Sequence, residues 1–448
     1  MEDCIERSLK VFPGGSNGEF NLPEELATVI VRGKGCELED CAGRRFIDFS
    51  MGWGSVLVGH SHPDVVAAVS RRISQGSNFA YVTEESIEVA EEIVRISPAC
   101  DTVRFAASGS EATHYCVRMA RGFTGRPKVM KFEGAYHGAH DFGVASVFPQ
   151  QPPPHPKVDW SGTGTIPGSD PLLLSAPFND AATTATLIAE HAEDLAAVIV
   201  EPLQRCTPPE EGFLEKLRQV TRQHGILLIF DEVVTGFRLA YGGAQEYYGV
   251  TPDLVAYGKA LGGGYPIGVY GGRADVMNCT REDRSDKPSY VWSASTLGGN
   301  PISAAASRAA LAVYRQESTY DRLHALGRYL RDGMRRALMN TGAPGQVIGD
   351  GPLAQVVFTT EPIRNYRSML TANRDRGRAV MLGLFEKGVF LNPMGTKLYL
   401  SLAHDEAVCD EFLERFTATL RETGYGRAPK TRYAFTESAC VSVGRSAI

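Results

Sequence analysis

Between about residues 100 and 310, short apolar runs alternate with stretches of helical period. Runs at 102–106, 128–132, 196–200, 227–230 and 254–257 are bounded by Gly, Pro or charge, the mark of strands buried on both faces. Helices fit between them near 111–122, 181–191 and 212–224. This alternation predicts an open, mostly parallel α/β sheet, in which ligands sit at the carboxyl ends of the strands. Ahead of it, 28–32 and 45–49 read as short strands. His62-Pro63 opens a helix to about 74 with Pro in its first turn, and Thr83 N-caps a second helix to Ile96. Beyond 311 the pattern gives a long helix at 323–339, strands at 355–358 and 399–402, and a final helix at 405–422. The expected organisation is an N-terminal arm joining the smaller unit (1–55), a large domain (56–310), a small α+β domain (311–426) and a tail (427–448). One interruption, 148–175, is rich in Pro, Gly and Ser; a loop of that length is a functional flap, a subunit contact or a mobile segment.

Composition narrows the classes. The 448 residues are 43% hydrophobic and 22% charged, which excludes disorder, collagen and a disulfide scaffold. Lys and Arg number 46 against 52 Asp and Glu, a net charge of -6, and no basic stripe stands out. Neither a nucleic-acid nor an anionic-membrane partner is therefore expected. The nine cysteines are dispersed with no CxxC, as in a protein with reduced thiols. The opening MEDCIERSLK has no apolar core of a signal peptide, and no apolar run approaches the ~20 residues of a membrane span. A cytoplasmic location is the expectation.

The chemistry concentrates between 228 and 268. LIFDEVVTGFR puts Asp231 at the end of one apolar strand, and DLVAYGKALGGG puts Lys259 just past the next. One cofactor needs this pair: pyridoxal 5'-phosphate, held as a Schiff base by a lysine, with its ring nitrogen kept protonated by a carboxylate. Its phosphate needs a helix N-terminus with small residues, and Ser108-Gly109-Ser110 follows a strand and opens a helix. Its ring needs a flat partner; Tyr136 is the candidate, with His137 beside it. The pairs His137/His140 and His60/His62 lack carboxylates or cysteines at ligand spacing, so no metal is expected. There is no GxxxxGK[ST], no GxGxxG and no GxSxG elbow, which disfavours nucleoside-phosphate binding and a serine hydrolase.

Together these segments resemble the class III pyridoxal-phosphate aminotransferases of fold type I, most closely the glutamate-1-semialdehyde aminomutase branch. The matching stretches are PGGSN (13–17), GHSHP (59–63), SGSEAT (108–113), FTGRPKVMKFEGAYHG (123–138), VIVEPLQ (198–204), the run 230–268, and TLGGNP (296–301). The resemblance implies a large domain with a mostly parallel sheet plus a smaller α+β domain. It implies that Lys259 carries the cofactor and shuttles the proton, and that Asp231 pairs with the ring nitrogen. Ser108, Gly109 and Ser110 would hold the phosphate. Tyr136 and Val233 would cover the two ring faces, with Glu201 and Gln204 near the ring hydroxyl and reacting carbon. Thr296 would reach a neighbouring subunit's cofactor phosphate, which implies a homodimer, and Trp53 would line the substrate pocket.

The chain departs from the aminomutases where the substrate carboxylate is taken. Asn21 stands in the ungapped register where that branch carries an arginine, and Glu19 adds negative charge nearby. The segment 392–399 also lacks the aminomutase-like acidic loop. A carboxylate would lose a bidentate partner there. The expected reaction is therefore transfer of an amino group from a donor such as glutamate to an aldehyde or ketone acceptor of specialised-metabolite or sugar type. Arg205, Arg238 and Lys397 are the candidate cations for the donor. An intramolecular amine shift or a racemisation uses the same lysine and carboxylate. A binding protein that has lost catalysis is the alternative outside enzymes.

Overall fold

The computed structural model of the chain describes residues 4–18, 22–160, 164–165, 170–391 and 396–424. Its central sheet has seven strands in the spatial order Thr102–Ala106, Gly268–Gly272, Leu254–Tyr257, Leu227–Asp231, Leu195–Val200, Lys128–Phe132 and Leu173–Ala176. All run in one direction except Gly268–Gly272, which is antiparallel to both neighbours. Leu195–Val200, Leu227–Asp231 and Leu254–Tyr257 are buried throughout, which is why they read as continuous apolar runs rather than alternating ones.

Two strands of this sheet escape the sequence pattern. Leu173–Ala176 sits at the sheet edge, at the end of the Pro-rich interruption. Gly268-Val-Tyr-Gly-Gly272 carries too many glycines to read as a strand. Packing demands them: a Cβ on Gly268 would lie 2.1 Å from the Ser108 carbonyl oxygen, and one on Gly272 2.3 Å from that of Asp253. Gly268 lets the strand press against the turn that opens the Gly109–Thr124 helix, and Gly272 lets it close on Asp253 and Leu254.

The expected helices appear as Gly109–Thr124, Ala181–Glu190 and Phe213–Gln223. Thr83 caps Glu84–Ile96 as expected, in a reciprocal box with Ser86. An unexpected Ala-rich helix, Pro301–Tyr314, packs against Pro63–Ile73 and Glu84–Ile96. It spans residue 310.

The smaller unit has its own core, in which Phe46 and Phe49 of the N-terminal segment join Leu330, Met334, Leu384, Phe412 and Phe416. Arg45–Asp48 pairs parallel with Val389–Phe390, which ties the N-terminal arm to this unit. A three-stranded sheet of Gln346–Ile348, Leu353–Val357 and Lys397–Tyr399 completes it. The strand expected at 399–402 pairs instead over Lys397–Tyr399, and the long helix runs Thr319–Thr341. Among the described residues no helix is long and apolar enough to cross a membrane. The tail 427–448 lies outside the described residues.

Candidate active site

The carboxyl ends of the parallel strands carry the candidate chemistry. Leu227–Asp231 and Leu254–Tyr257 are neighbours, with Asp231 opposite Ala256, so Asp231 and Lys259 emerge side by side. Lys259 follows Gly258 in a tight turn and has a φ of 43°. Burial pushes its amine down to about 8; the fields of Asp231 and Glu201 oppose this, and those of Lys397 and Arg205 add to it. Asp231 is 6% exposed, and its two oxygens are placed separately. The Val233 amide donates to Oδ1 at 3.1 Å, and the His137 Nδ1 lies 2.8 Å from Oδ2. A carboxylate only accepts, so Nδ1 carries the hydrogen and donates it. The His137 Nε2 is buried with no partner among the described residues. The adjacent Glu232 turns the other way and accepts from the amides of Ala244 and Gln245 at 2.6 and 3.1 Å. The alternation of the strand thus separates two consecutive acids into one facing the site and one serving the fold.

Ser108 caps the Gly109–Thr124 helix, its Oγ accepting from the Glu111 amide at 3.2 Å. The start of this helix is crowded on both sides by positions that must stay small. A Cβ on Gly109 would be 2.7 Å from Val233 Cγ1, and one on Gly138 would be 2.7 Å from Ser110 Cα. Ser110 Oγ accepts from the Ala139 amide at 3.2 Å. Glu111 Oε2 accepts from the Ala107 amide at 2.9 Å and from Ser295 Oγ at 2.8 Å, so it ties this turn to the 295–300 segment. Thr296 is exposed, and its carbonyl accepts from Asn78 Nδ2 at 3.0 Å.

Around the lysine, Glu201 accepts from the Tyr136 amide at 2.8 Å and from the Arg205 amide at 3.0 Å. Burial raises its carboxyl, but Arg205, His137 and these two amides outweigh that and hold it below the usual range. Gln204 donates through Nε2 to the Glu133 carbonyl at 2.7 Å. Arg205 has a φ of 59° and donates through Nε to the Gly134 carbonyl at 3.2 Å. Its guanidinium stands 5.7 Å from the Tyr136 ring and 5.8 Å from the Phe148 ring, and its Nη2 is buried without a partner among the described residues. Lys397 reaches in from the smaller unit and donates to the Arg205 carbonyl at 2.8 Å.

Trp53 is half-buried on the Met51–Gly54 turn, which lies against both the Lys259–Gly262 turn and the Lys397–Tyr399 strand. All four residues of the turn are left-handed, with φ of 46°, 59°, 58° and 81°. Asp48 Oδ1 accepts from the amides of Ser50 and Met51 at 2.7 and 2.9 Å, and His60 Nε2 donates to Oδ2 at 2.8 Å. At the other end, the wholly buried Arg238 donates through Nη2 to the Gly54 carbonyl and lies over the Tyr399 ring. Arg238 also donates through Nε to the Val234 carbonyl at 3.0 Å, and its Nη1 is buried with no partner among the described residues.

The structure therefore gathers Lys259, Asp231, Glu201, Arg205, Lys397, Tyr136 and His137 at one sheet edge, with Ser108, Gly109, Ser110 and Val233 beside them. Asn21 and Glu19 lie outside the described residues, as do 392–395. Two contributors were not read from the sequence. Phe148, inside the Pro-rich interruption, faces Arg205. Lys131, wholly buried on the Lys128–Phe132 strand, donates to the carbonyls of Gly143 and Ala145 at 3.0 and 2.5 Å, and burial pushes its amine down to about 7. A lysine inside an apolar strand was the available signal for it. Among the described residues no group of His, Cys, Asp or Glu could hold a metal ion.

A family model described as aminotransferase class-III matches residues 21–420. A protein named glutamate-1-semialdehyde 2,1-aminomutase from Methanothermobacter thermautotrophicus is 38% identical over 424 residues, covering 92% of this chain and 97% of the relative. The crystal structure of an omega-transaminase from Sphaerobacter thermophilus superposes with a TM-score of 0.88 at 34% identity, covering 94% of this chain and 97% of that one. A glutamate-1-semialdehyde aminomutase from Pseudomonas aeruginosa PAO1, solved in complex with PMP, matches with a TM-score of 0.84 at 25% identity, covering 94% of each chain. The cofactor is pyridoxal 5'-phosphate. The donor set fits it: a buried amine lowered to about 8, a carboxylate beside that amine, and a helix start kept open by glycines.

Proposed function

The chain belongs to the class III aminotransferase family, and we propose that within it this protein is an intermolecular aminotransferase. It takes the amino group of a carboxylate-bearing donor such as L-glutamate and passes it to an aldehyde or ketone acceptor of sugar or specialised-metabolite type. The observation that carries this reading is Arg205: a cation at the lysine, between Tyr136 and Phe148, with a buried Nη2 that has no partner among the described residues. A guanidinium edge so placed suits a donor carboxylate.

When bound, the cofactor supplies an electron sink for the negative charge that develops at the donor's α-carbon. Lys259 holds the cofactor through its Nζ and then moves the α-proton at the same atom. A lysine lowered to about 8 exchanges that proton near neutral pH with little driving-force penalty. Asp231, fixed by His137 and the Val233 amide, would pair with the ring nitrogen. Ser108, Gly109 and Ser110 would hold the phosphate at the helix N-terminus, where the backbone N–H groups and the helix dipole favour an anion. Tyr136 and Val233 would cover the ring, and Glu201 and Gln204 would orient the groups at its edge. Trp53 and Lys397 border the substrate with Arg205. Thr296, exposed on this chain, serves the phosphate of a second copy, so the working form is a homodimer.

The runner-up is the intramolecular amine shift named for the relatives, favoured by 38% identity across nearly the whole of one of them. Adding L-glutamate to the cofactor-loaded protein separates the two. Bleaching of the yellow chromophore with stoichiometric release of 2-oxoglutarate is expected. A protein that ignores every amino donor but converts glutamate-1-semialdehyde, best of a broad panel and with no keto acid released, is an aminomutase.

A further inference from the structure

We propose that Arg367 is a positioning residue for Arg205, acting through Glu133 and through the Phe148 end of the Pro-rich segment; this rests on the aminotransferase reading above. Arg367 sits on the short helix Tyr366–Met369, far along the chain from the sheet. Its Nε and Nη2 donate to the two oxygens of Glu133 at 2.9 and 3.1 Å, and Nη2 also donates to the Pro153 carbonyl at 2.6 Å. Glu133 is 2% exposed, whereas the Arg367 side chain is 40% exposed, so the arginine closes over a buried acid from outside.

Its neighbours grip the same segment. Tyr366 Oη donates to the Pro149 carbonyl at 3.0 Å, and Arg374 donates to Gln150 Oε1 at 2.6 Å. The Tyr366 ring also covers Gly134, where a Cβ would come within 2.5 Å of it. These contacts bear on both sides of Arg205. On one side, the carbonyls of Glu133 and Gly134 take the side-chain donors of Gln204 and Arg205. On the other, the gripped run 149–153 holds the adjacent Phe148 ring against the guanidinium. Beyond these walls and the Gly134 carbonyl, the guanidinium has among the described residues only Glu201, at 3.8 Å. Its aim is therefore set by the parts that Arg367 fastens, and loosening them costs alignment of the donor carboxylate rather than the proton transfer at Lys259.

The test uses the cofactor-loaded protein with two donors, L-glutamate and the carboxylate-free 1-phenylethylamine. Arg367→Met is expected to raise KM for glutamate about 10-fold with kcat within about twofold, and to leave the amine's KM within about twofold. Arg367→Lys, which cannot span Glu133 and Pro153 together, is expected to fall between, and it carries the test if Arg367→Met does not fold. The pair Glu133→Gln with Arg367→Met removes the stranded buried charge and is expected to keep the glutamate-specific defect. Adding Arg367→Met to Arg205→Leu is expected to change nothing further. In the cofactor-free protein, amide hydrogen exchange over 144–150 is expected to quicken in Arg367→Met. Equal KM rises for both donors, full additivity with Arg205→Leu, or unchanged exchange would each overturn the proposal. A wild-type protein that ignores carboxylate donors sinks the aminotransferase reading and this inference with it. One that accepts them alongside an indifferent Arg367→Met sinks this inference alone.

Discussion

The carboxyl ends of the large sheet and the rim that faces them are built by different means. At the sheet, each candidate residue lies within a few positions of a strand end: Ser108 after Ala106, Glu201 after Val200, Lys259 after Tyr257, and Asp231 at the end of its own strand. Register with the neighbouring strand then fixes where it points. At the rim, position comes from polar contacts between segments more than 180 residues apart, such as Arg367 with Glu133, Lys397 with Arg205 and Arg238 with Gly54. On the function proposed above, the first region supplies the chemistry and the second the choice of substrate.

Substitutions can break or sharpen that division. Lys259→Ala removes the group that holds the cofactor and the proton, and a loss of about 10⁴-fold or more in the donor half-reaction is expected by stopped-flow absorbance. Retention of turnover would undo the assignment of chemistry to the sheet. Asp231→Asn keeps the shape and removes the charge; kcat is expected to fall by about 10²–10³-fold with little change in donor KM. Arg205→Leu belongs to the rim, and its signature is the reverse: donor KM up about 10–100-fold for carboxylate substrates and unchanged for simple amines, from loss of a charged hydrogen bond worth ~1.5–3 kcal/mol. The lowered amine gives a milder pH effect. Because Lys259 is protonated below about 8 and neutral above it, uptake of pyridoxal 5'-phosphate by the cofactor-free protein should quicken as pH rises through 8 and then level off. A rate that climbed on toward 10.5, the ordinary lysine value, would show the amine to be water-exposed. Thr83→Ala lies in neither region and serves as the control, lowering stability by about 1 kcal/mol in a urea melt while sparing both kcat and KM.

The same division explains what the sequence discloses. Asp231 and Lys259 are legible because an apolar run, an acid, a second run and a lysine follow one another locally, and adjacent parallel strands convert that order into proximity. The SGSEA turn is legible for the same reason. Phe148 is not, because a Pro-rich stretch has no period from which to infer that Tyr366, Arg367 and Arg374 will hold its neighbours. Gly268–Gly272 fails as a strand signal because its glycines answer to close neighbours, the Ser108 turn at Gly268 and Asp253 at Gly272, not to strand propensity. Arg238 reads as a candidate substrate cation from sequence, but its bond to the Gly54 carbonyl is set by tertiary packing alone and has no local signal.

The Met51–Gly54 turn has a consequence for how this protein fails. Four successive left-handed residues are a short piece of helix of the wrong hand, and two of them, Met51 and Trp53, are not glycine. At ~1–2 kcal/mol for each non-glycine residue, the segment is loaded against its own relaxation. Asp48 restrains one end, and Arg238 with Tyr399 the other. On warming, or in mild denaturant, this latch is expected to spring before the cores of either unit loosen. Trp53 would then swing out of register while the sheet is still intact, so catalytic activity is expected to be lost well below the temperature at which circular dichroism records loss of the fold.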